Sequence, residues 1–527
     1  MALSCTRDVI AFAVLATSCA GARARSSVRF ANAPPVWVVD DRRDVPVRPE
    51  VSPSYLQLDY FDRSLAGPVL RALWIPTSRR ARGVNALDEV PDSTWFTNRI
   101  GVRELTPAEV GRGPVDDDGP EPYKPWTIHS ATSGAEVRLI ITDAKGIEYR
   151  LAFDHPDWPE LETGSAVVAN RLLHAFGYNV PAERIAYVRP QELRLARDAK
   201  LVDRRGKRVG RLDRDELDRR LATVWHMPDG RLRVVASRSL AGTPLGGTPP
   251  SGVRRGDPND RIPHEDRRDL RGQYPLFAWL DHVNLTRASS LDLWIEDPVD
   301  PRRRYVVHYA RDLGTSLGAM AMIDGLIRLA PPLTGVSPTF VATGFDPGAW
   351  RPDIEYAPFQ AADRFDAFWG TKVLARFTPA QIRAAVEAGE LSDPRATEYL
   401  TNTLIARQRA IEAYWYARVD PLDRFAVTRG ALCFEDLAVT AQLASAAQTH
   451  YELASFDRAG RPLGVIRIRA APNGTTCARS VKVARDGDGY TIVKLTTARP
   501  AFAGSTLVHV AREPGTGAWR VIGVWRL

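Results

Sequence analysis

The chain has 527 residues, average apolar content and a quarter of its residues charged, a folded globular composition with room for roughly two to four domains. Its net charge of +8 rests on arginine, with only seven lysines. The basic runs at 203–220 and 261–271 interleave Asp and Glu, so they lack the unopposed basic stripe that nucleic acid requires, and no nucleic-acid partner is expected.

The N-terminus sets the expected compartment. Arg7 supplies a positive charge, and Val9 to Ala16 is an apolar stretch long enough for an export signal but too short to cross a bilayer. The small residues Ala16, Thr17 and Ser18 then precede Cys19, the arrangement of a lipobox whose thiol takes a diacylglycerol. Residues 1–19 therefore read as a lipoprotein signal peptide, with Cys19 as the lipid anchor to a membrane. Cleavage after Ala22 or Ala24 without lipid is the rival reading. Ala20, where an inner-membrane retention Asp would stand, favours an outer-membrane anchor facing the periplasm. No later run is apolar for the roughly eighteen residues a transmembrane helix needs. Beyond Cys5 and Cys19 only Cys433 and Cys477 remain; in an oxidising compartment they are expected to form a disulfide, with two unpaired buried thiols as the alternative.

Residues 20–125 are rich in Pro, Arg and Asp and read as an extended arm with short helices such as Ser64 to Leu73. Within it, Asn85 to Asn98 is dense in turn formers and aromatics, an ordered loop packed on something. The pattern changes near 126. Val137 to Thr142 and Tyr149 to Phe153 read as strands joined by the turn Asp143-Ala-Lys-Gly146. A helix follows, capped by Thr163, striped by Val168, Leu172 and Phe176, and ended by Gly177. Ile185 to Val188 is a strand, and Gly242 to Gly256 a linker or flap without the ending of a phosphate loop. A helix is expected over 264–280, then paired strands at Leu291 to Ile295 and Tyr305 to Tyr309.

A helical block begins at 363, striped by Phe365, Phe368, Trp369, Val373 and Phe377. Thr378-Pro379-Ala380-Gln381 is a capping box with Pro at the first helical position, Gly389 a stop, and Leu400, Leu404, Ile411 and Trp415 stripe a third helix. From 424 the chain reads as a small β domain, with strands at 465–468, 480–483, 491–495, 506–510 and 519–524.

The middle of the chain carries the layout of a phosphoryl-transfer site. Such a site needs a strand Lys on the phosphates and a helix Glu holding that Lys. It also needs an Asp for the acceptor hydroxyl, a metal-binding Asn, and a second metal-binding Asp followed by x-Gly. His282-Val283-Asn284 follows an apolar helix where a catalytic loop would put His-x-Asp, Ser289 lies five residues beyond Asn284, and Asp312-Leu313-Gly314 comes two strands later.

On these residues, 126 to about 420 resembles an atypical kinase fold of the HipA and type II phosphatidylinositol 4-kinase kind. Asp88-Glu-Val-Pro-Asp-Ser-Thr-Trp-Phe96, Gly177-Tyr-Asn-Val-Pro181 and Asp366-Ala-Phe-Trp369 resemble exported bacterial proteins with such a middle region. The resemblance implies an α+β, two-lobed kinase-like domain over 126–423, between the arm and a C-terminal β domain over 424–527. It also implies where the site has lost its parts: the strand Lys is Ala152, the helix Glu is Ala166, the catalytic Asp is Asn284 and the metal Asn is Ser289, with Asp312 alone surviving as a metal ligand if nucleotide binds. Losing one preorganised group costs about 10²–10³ in rate. The expectation is a non-catalytic exported lipoprotein that binds a protein or small molecule and uses no cofactor. The alternative is an active kinase using ATP and Mg, its missing groups supplied by Lys145, Arg150 or Asp281.

Two other chemistries were weighed. Gly314-Thr315-Ser316-Leu317-Gly318 matches a nucleophile elbow, but the preceding strand ends near Ala310 and the later histidines, His450 and His509, fall near or in the β-rich tail. The nine histidines are scattered, and His264-Glu265-Asp266 reads as a helix start rather than a metal site.

Overall fold

The computed structural model describes residues 28–52, 79–116, 118–134, 136–203, 206–323 and 333–527. The leader, Cys19 and the helix expected over 64–73 lie outside the described residues. The chain is α+β, with four separate sheets among the described residues. Among the described residues, no helix is long and apolar enough to cross a membrane.

Residues 28–52 run extended along the surface and are tied down by isolated backbone bonds. Val39 N donates to Asp92 O, Val45 N to Arg304 O and Ser52 N to Leu245 O, all within 2.7–2.8 Å. The loop at 85–98 is packed as its composition implied: Trp95 and Phe96 are buried, and Phe96 meets Phe176, Tyr178 and Trp369 edge-on. A short helix, α1 (Pro107–Arg112), is held by a Thr106/Glu109 capping box.

The largest sheet has seven strands: β1 (Trp126–Thr132), β2 (Arg138–Thr142), β3 (Glu148–Phe153), β4 (Glu183–Val188), β5 (Leu193–Val202), β6 (Arg208–Arg211) and β7 (Leu232–Arg238). Their order is β4-β7-β3-β2-β1-β5-β6. The β2–β3 hairpin forms over the turn expected from Asp143 to Gly146, where the Asp143 side chain accepts from the amides of Lys145 and Ile147. Helix α2 (Leu161–Phe176) packs on β4 and β7 and ends at Gly177 as expected. Its start is earlier than the sequence implied. Thr163 lies inside the first turn, and Asp154 does the capping instead, accepting from the Thr163 amide at 2.9 Å and its hydroxyl at 2.7 Å. Between β6 and β7, α3 (Arg214–Leu221) packs Leu217 and Leu221 against the sheet's second core.

A short strand β8 (Thr243–Pro244) leads through the 246–256 loop, which Arg254 anchors by bonding Asp292, Glu50 O and Gly247 O. The helix expected over 264–280 is broken. A 3₁₀ turn at His264–Asp266 is followed by α4 (Arg268–Arg271) and α5 (Gln273–Leu280), separated by Gly272. A Cβ at Gly272 would meet the Trp369 ring at 2.3 Å, so the break is where this segment and a later helix touch backbone to side chain. The expected β-hairpin forms as β9 (Ser290–Glu296) and β10 (Arg304–Ala310), pairing Leu291 with Tyr309 and Ile295 with Tyr305.

The helical block contains α6 (Ala319–Ile323), α7 (Ala357–Ala361), α8 (Arg364–Leu374), α9 (Pro379–Glu387) and α10 (Pro394–Tyr416). The Thr378/Gln381 box forms at α9. On α10 the Glu412 side chain is buried, and burial pushes its carboxyl up to about 7, with Arg409 pulling only weakly the other way. A carboxyl held protonated by the fold gives stability that is full below its unfolded value and lost as pH rises through about 7. Glu412→Gln is therefore expected to leave the melting temperature at pH 5 unchanged and to raise it at pH 8, read by scanning fluorimetry at both pH values.

The C-terminal region holds β11 (Leu422–Thr428), β12 (Ala431–Asp436), the single turn α11 (Leu437–Thr440), β13 (His450–Asp457), β14 (Pro462–Arg469), β15 (Thr475–Ala478), β16 (Thr491–Arg499), β17 (Phe502–Arg512) and β18 (Trp519–Arg526). One sheet is β11-β12-β15, the other β14-β13-β16-β17-β18. Cys433 and Cys477 face each other across β12 and β15 and are joined by a disulfide. The strand expected at 480–483 does not form; that segment is irregular, and the pairing falls to 475–478.

Candidate functional site

A cleft of about 450 Å³ opens between the seven-stranded sheet and the start of β9. Strands β2, β3 and β7 and the first turns of α2 form one wall. Leu291, Leu293 and the turn from Arg311 to Gly314 form the other. Ala152, Ala166 and Asp312, three of the positions the sequence singled out, line it together.

Ala152 and Ala166 carry no charge, yet the cleft is not without an ion pair. Across the β2–β3 hairpin Arg138 is paired directly with Ala152. Four residues before Ala166, on the same face of α2, stands Glu162. Arg138 Nη2 lies 2.6 Å from Glu162 Oε1, and the same nitrogen is 3.9 Å from Asp312 Oδ1. The strand position expected for Lys is Ala152, and the cation sits on the neighbouring strand, one pleat across. Burial opposes the charge on Arg138, but Glu162, Asp312 and Glu136 more than offset it and raise its pKa. Burial pushes Glu162 up while Arg138 pulls it down. Burial is the larger effect, so the Glu162 carboxyl is raised overall despite the 2.6 Å contact with Arg138.

Asp312 adopts a left-handed conformation, φ 62°, which Asp tolerates better than most residues. The turn that follows is pressed onto α2. A Cβ at Gly314 would meet Glu162 Cγ at 2.7 Å, so glycine is what lets the turn approach the ion pair. Arg311, Arg150 and Arg238 add three more guanidinium groups to the lining. The Arg311 pKa is lowered to about 10, first by burial and then by Arg150; its Nε donates to Ala288 O at 2.9 Å. Burial also pushes Glu183, at the back of the cleft, up to about 7.

The other singled-out positions lie elsewhere. Asn284 is half-buried and outside the cleft lining. Ser289 is buried, shares a hydrogen bond with Thr286 Oγ1 at 3.1 Å and faces a different cavity. Lys145 sits in the exposed hairpin turn, 3.9 Å from Glu121. Asp281 accepts from Trp350 Nε1 at 3.0 Å and so points into the helical block. Of the three groups considered as replacements, only Arg150 lines the cleft.

Among the described residues no group of three or more His, Cys, Asp or Glu could hold a metal ion. Asp312 Oδ1 lies 3.9 Å from the Arg138 guanidinium, and Ser289 lines the other cavity.

Ser316 does meet a histidine, but an upstream one. His282 Nδ1 lies 3.0 Å from Ser316 Oγ. Ser316 is fully buried, and burial lowers His282 to about 4. Leu313 to Thr315 form a 3₁₀ turn rather than a strand-to-helix elbow. The pair is a strut joining the 282 loop to the 312 turn. His509 is spent on the Tyr490 hydroxyl at 2.9 Å, and His264 on Asp260 at 2.7 Å.

Arg138 and Glu162 are the residues that reading the sequence missed. Their signal was present in the hairpin: once Asp143 to Gly146 is the turn, the register places position 138 opposite 152. No protein-family model matches the chain, and no curated protein or solved structure matches it.

Proposed function

We propose that this chain is an exported, lipid-anchored envelope protein whose middle region is a kinase-like scaffold that binds an anionic ligand without transferring phosphate. Three features support the scaffold. The meander β1-β2-β3 is continued by β7 and β4, α2 lies against that edge, and the cleft opens beneath it toward an Asp-x-Gly turn. The observation that carries the binding reading is the Arg138–Glu162 pair. It rebuilds, one strand and one helical turn away, the ion pair that Ala152 and Ala166 lack. The parts that would handle a proton and a metal are not rebuilt: Asn284 cannot accept a proton at neutral pH, and neither it nor Ser289 lines the cleft.

The test is a calorimetric titration of the mature protein with ATP, with Mg²⁺ and with EDTA, beside an assay for transfer of labelled phosphate. Binding without transfer is expected, and Arg138→Ala should weaken it at least tenfold. Transfer that Asp312→Ala abolishes would instead establish the active kinase, with groups displaced from their usual positions. The anchor is tested separately: Cys19→Ser should abolish metabolic labelling by a fatty acid and release the protein from the membrane fraction.

A further inference from the structure

A second cavity lies back to back with the cleft. The chain segments 289–291 and 310–312 separate them: Ser289, Ser290 and Ala310 face the cavity, while Leu291, Arg311 and Asp312 face the cleft. Its volume is about 110 Å³. The walls are mainly apolar, from Trp95, Leu270, Phe277, Leu285 and Ile354. The polar groups on them are unusual for a packed interior, because several have nothing to bond.

Gln273 is 6% exposed, and among the described residues its carboxamide has no hydrogen-bond partner. Its amide atoms are not sealed in the interior but stay accessible where the residue lines the cavity, so they can bond a molecule that enters it. Two imidazoles share the cavity. His308 Nδ1 is fixed by Asp292 Oδ1 at 2.8 Å, and Asp292 is itself clamped by Arg254. His282 Nδ1 is fixed by Ser316 Oγ. In each ring one nitrogen is committed, and among the described residues the other, Nε2, has no partner. His308 is held rigid by stacking on Trp95, ring centroids 3.4 Å apart. Gln273, His282 and His308 therefore line one small, mainly apolar space, the composition of a small-molecule site: apolar walls with a few polar groups.

We infer that this cavity binds a single-ring heteroaromatic or hydroxy-aromatic molecule, without net charge, through Gln273 and the Nε2 atoms of His282 and His308. Size sets the ring count. An apolar cavity of roughly 150 Å³ accepts benzene, so a space of about 110 Å³ matches a single ring as its size class. The polar set provides both donor and acceptor through the amide, which suits a ring bearing an amide, lactam or hydroxyl edge. Charge is disfavoured because burial keeps His282 neutral, and Arg287 and Glu355 on the rim already have partners. This inference stands apart from the reading of the neighbouring cleft, since it uses none of the cleft's charged groups.

The test uses calorimetry on the mature protein with uracil, nicotinamide and phenol as probes, and benzene as an apolar control of similar size. At least one polar probe should bind saturably, one per chain, at least tenfold tighter than benzene. Gln273→Leu removes the amide while keeping an apolar wall, and should erase that tenfold preference. Ala310→Leu fills the space from the other side and should abolish binding of every probe while ATP titrates as before. Absence of saturable binding by all three polar probes overturns the inference, as does a Gln273→Leu protein of wild-type fold that keeps the preference.

Discussion

Asp88→Ala should lower the stability of the folded chain by about 3–5 kcal/mol, the cost of removing one member of a buried charge cluster. Asp88 Oδ1 accepts from Arg268 Nη1 and Oδ2 from Arg526 Nε, each at 3.1 Å. The two arginines come from opposite ends of the fold, one in α4 and the other at the end of β18, and their side chains are 2% and 1% exposed. Arg268 also meets Asp366 at 2.6 Å, and Arg526 meets Asp423 at 2.9 Å while covering the Phe368 ring. Next to them Lys372 is held between Glu89 and Asp423. Burial works against the carboxylate of Asp88, but Arg268 and Arg526 outweigh it and hold its pKa down. Taking it away leaves two desolvated guanidinium groups short of an anion. Asp88 is also in the left-handed region, φ 63°, so Ala adds backbone strain that Asn does not. Asp88→Asn should therefore cost less than Ala, and the difference between the two in urea denaturation separates charge from backbone.

Removing the disulfide should cost about 4 kcal/mol if loop-closure entropy of the unfolded chain dominates. The bridged residues are 44 apart in sequence. The bond pins β15, a four-residue strand at the edge of its sheet, to β12. Isolated short edge strands hold poorly on backbone bonds alone. The Cys433→Ser, Cys477→Ser double variant is expected to lower the urea midpoint of the C-terminal region and to expose residues 471–478 to hydrogen exchange first. Treating the wild-type protein with a thiol reductant should reproduce both effects.

What could be seen in the residues alone was what short-range rules govern. The hairpins at 137–153 and 291–309 follow from alternation and turn residues, and α9 from its capping box. The disulfide follows from two cysteines left in one segment. Long-range contacts overrode the rest. One helix was expected over 264–280, and the chain instead divides it at Gly272, where the Trp369 ring packs against the backbone. Thr163 looked like a cap, and a loop aspartate from nine residues earlier took that role. Strand β1 was not anticipated because its partner β5 lies some seventy residues on, in parallel pairing. The site was legible in part. Position by position Ala152 and Ala166 read as losses. The replacement was visible only by asking which side chains share a pleat or a helical face with them.

The first described segment is also stitched to the last. The Phe30 amide donates to the Tyr490 hydroxyl, the Asn32 amide group to Arg512 O, and the Phe30 ring lies so close over Gly523 that a Cβ there would strike it. Nearly five hundred residues separate Asn32 from its partner Arg520. A polypeptide emerging from a ribosome or a translocation pore therefore cannot finish its native state until its final strand has been released. Until then the residues around Phe30 and Asn32 lack part of their docking surface, while the Trp37 segment can already bond Asp92. Such long-range closure makes assembly slow. A chain stopped short of residue 519 would lack the Arg520 and Gly523 part of that seam and so leave its leading end more open to a quality-control protease.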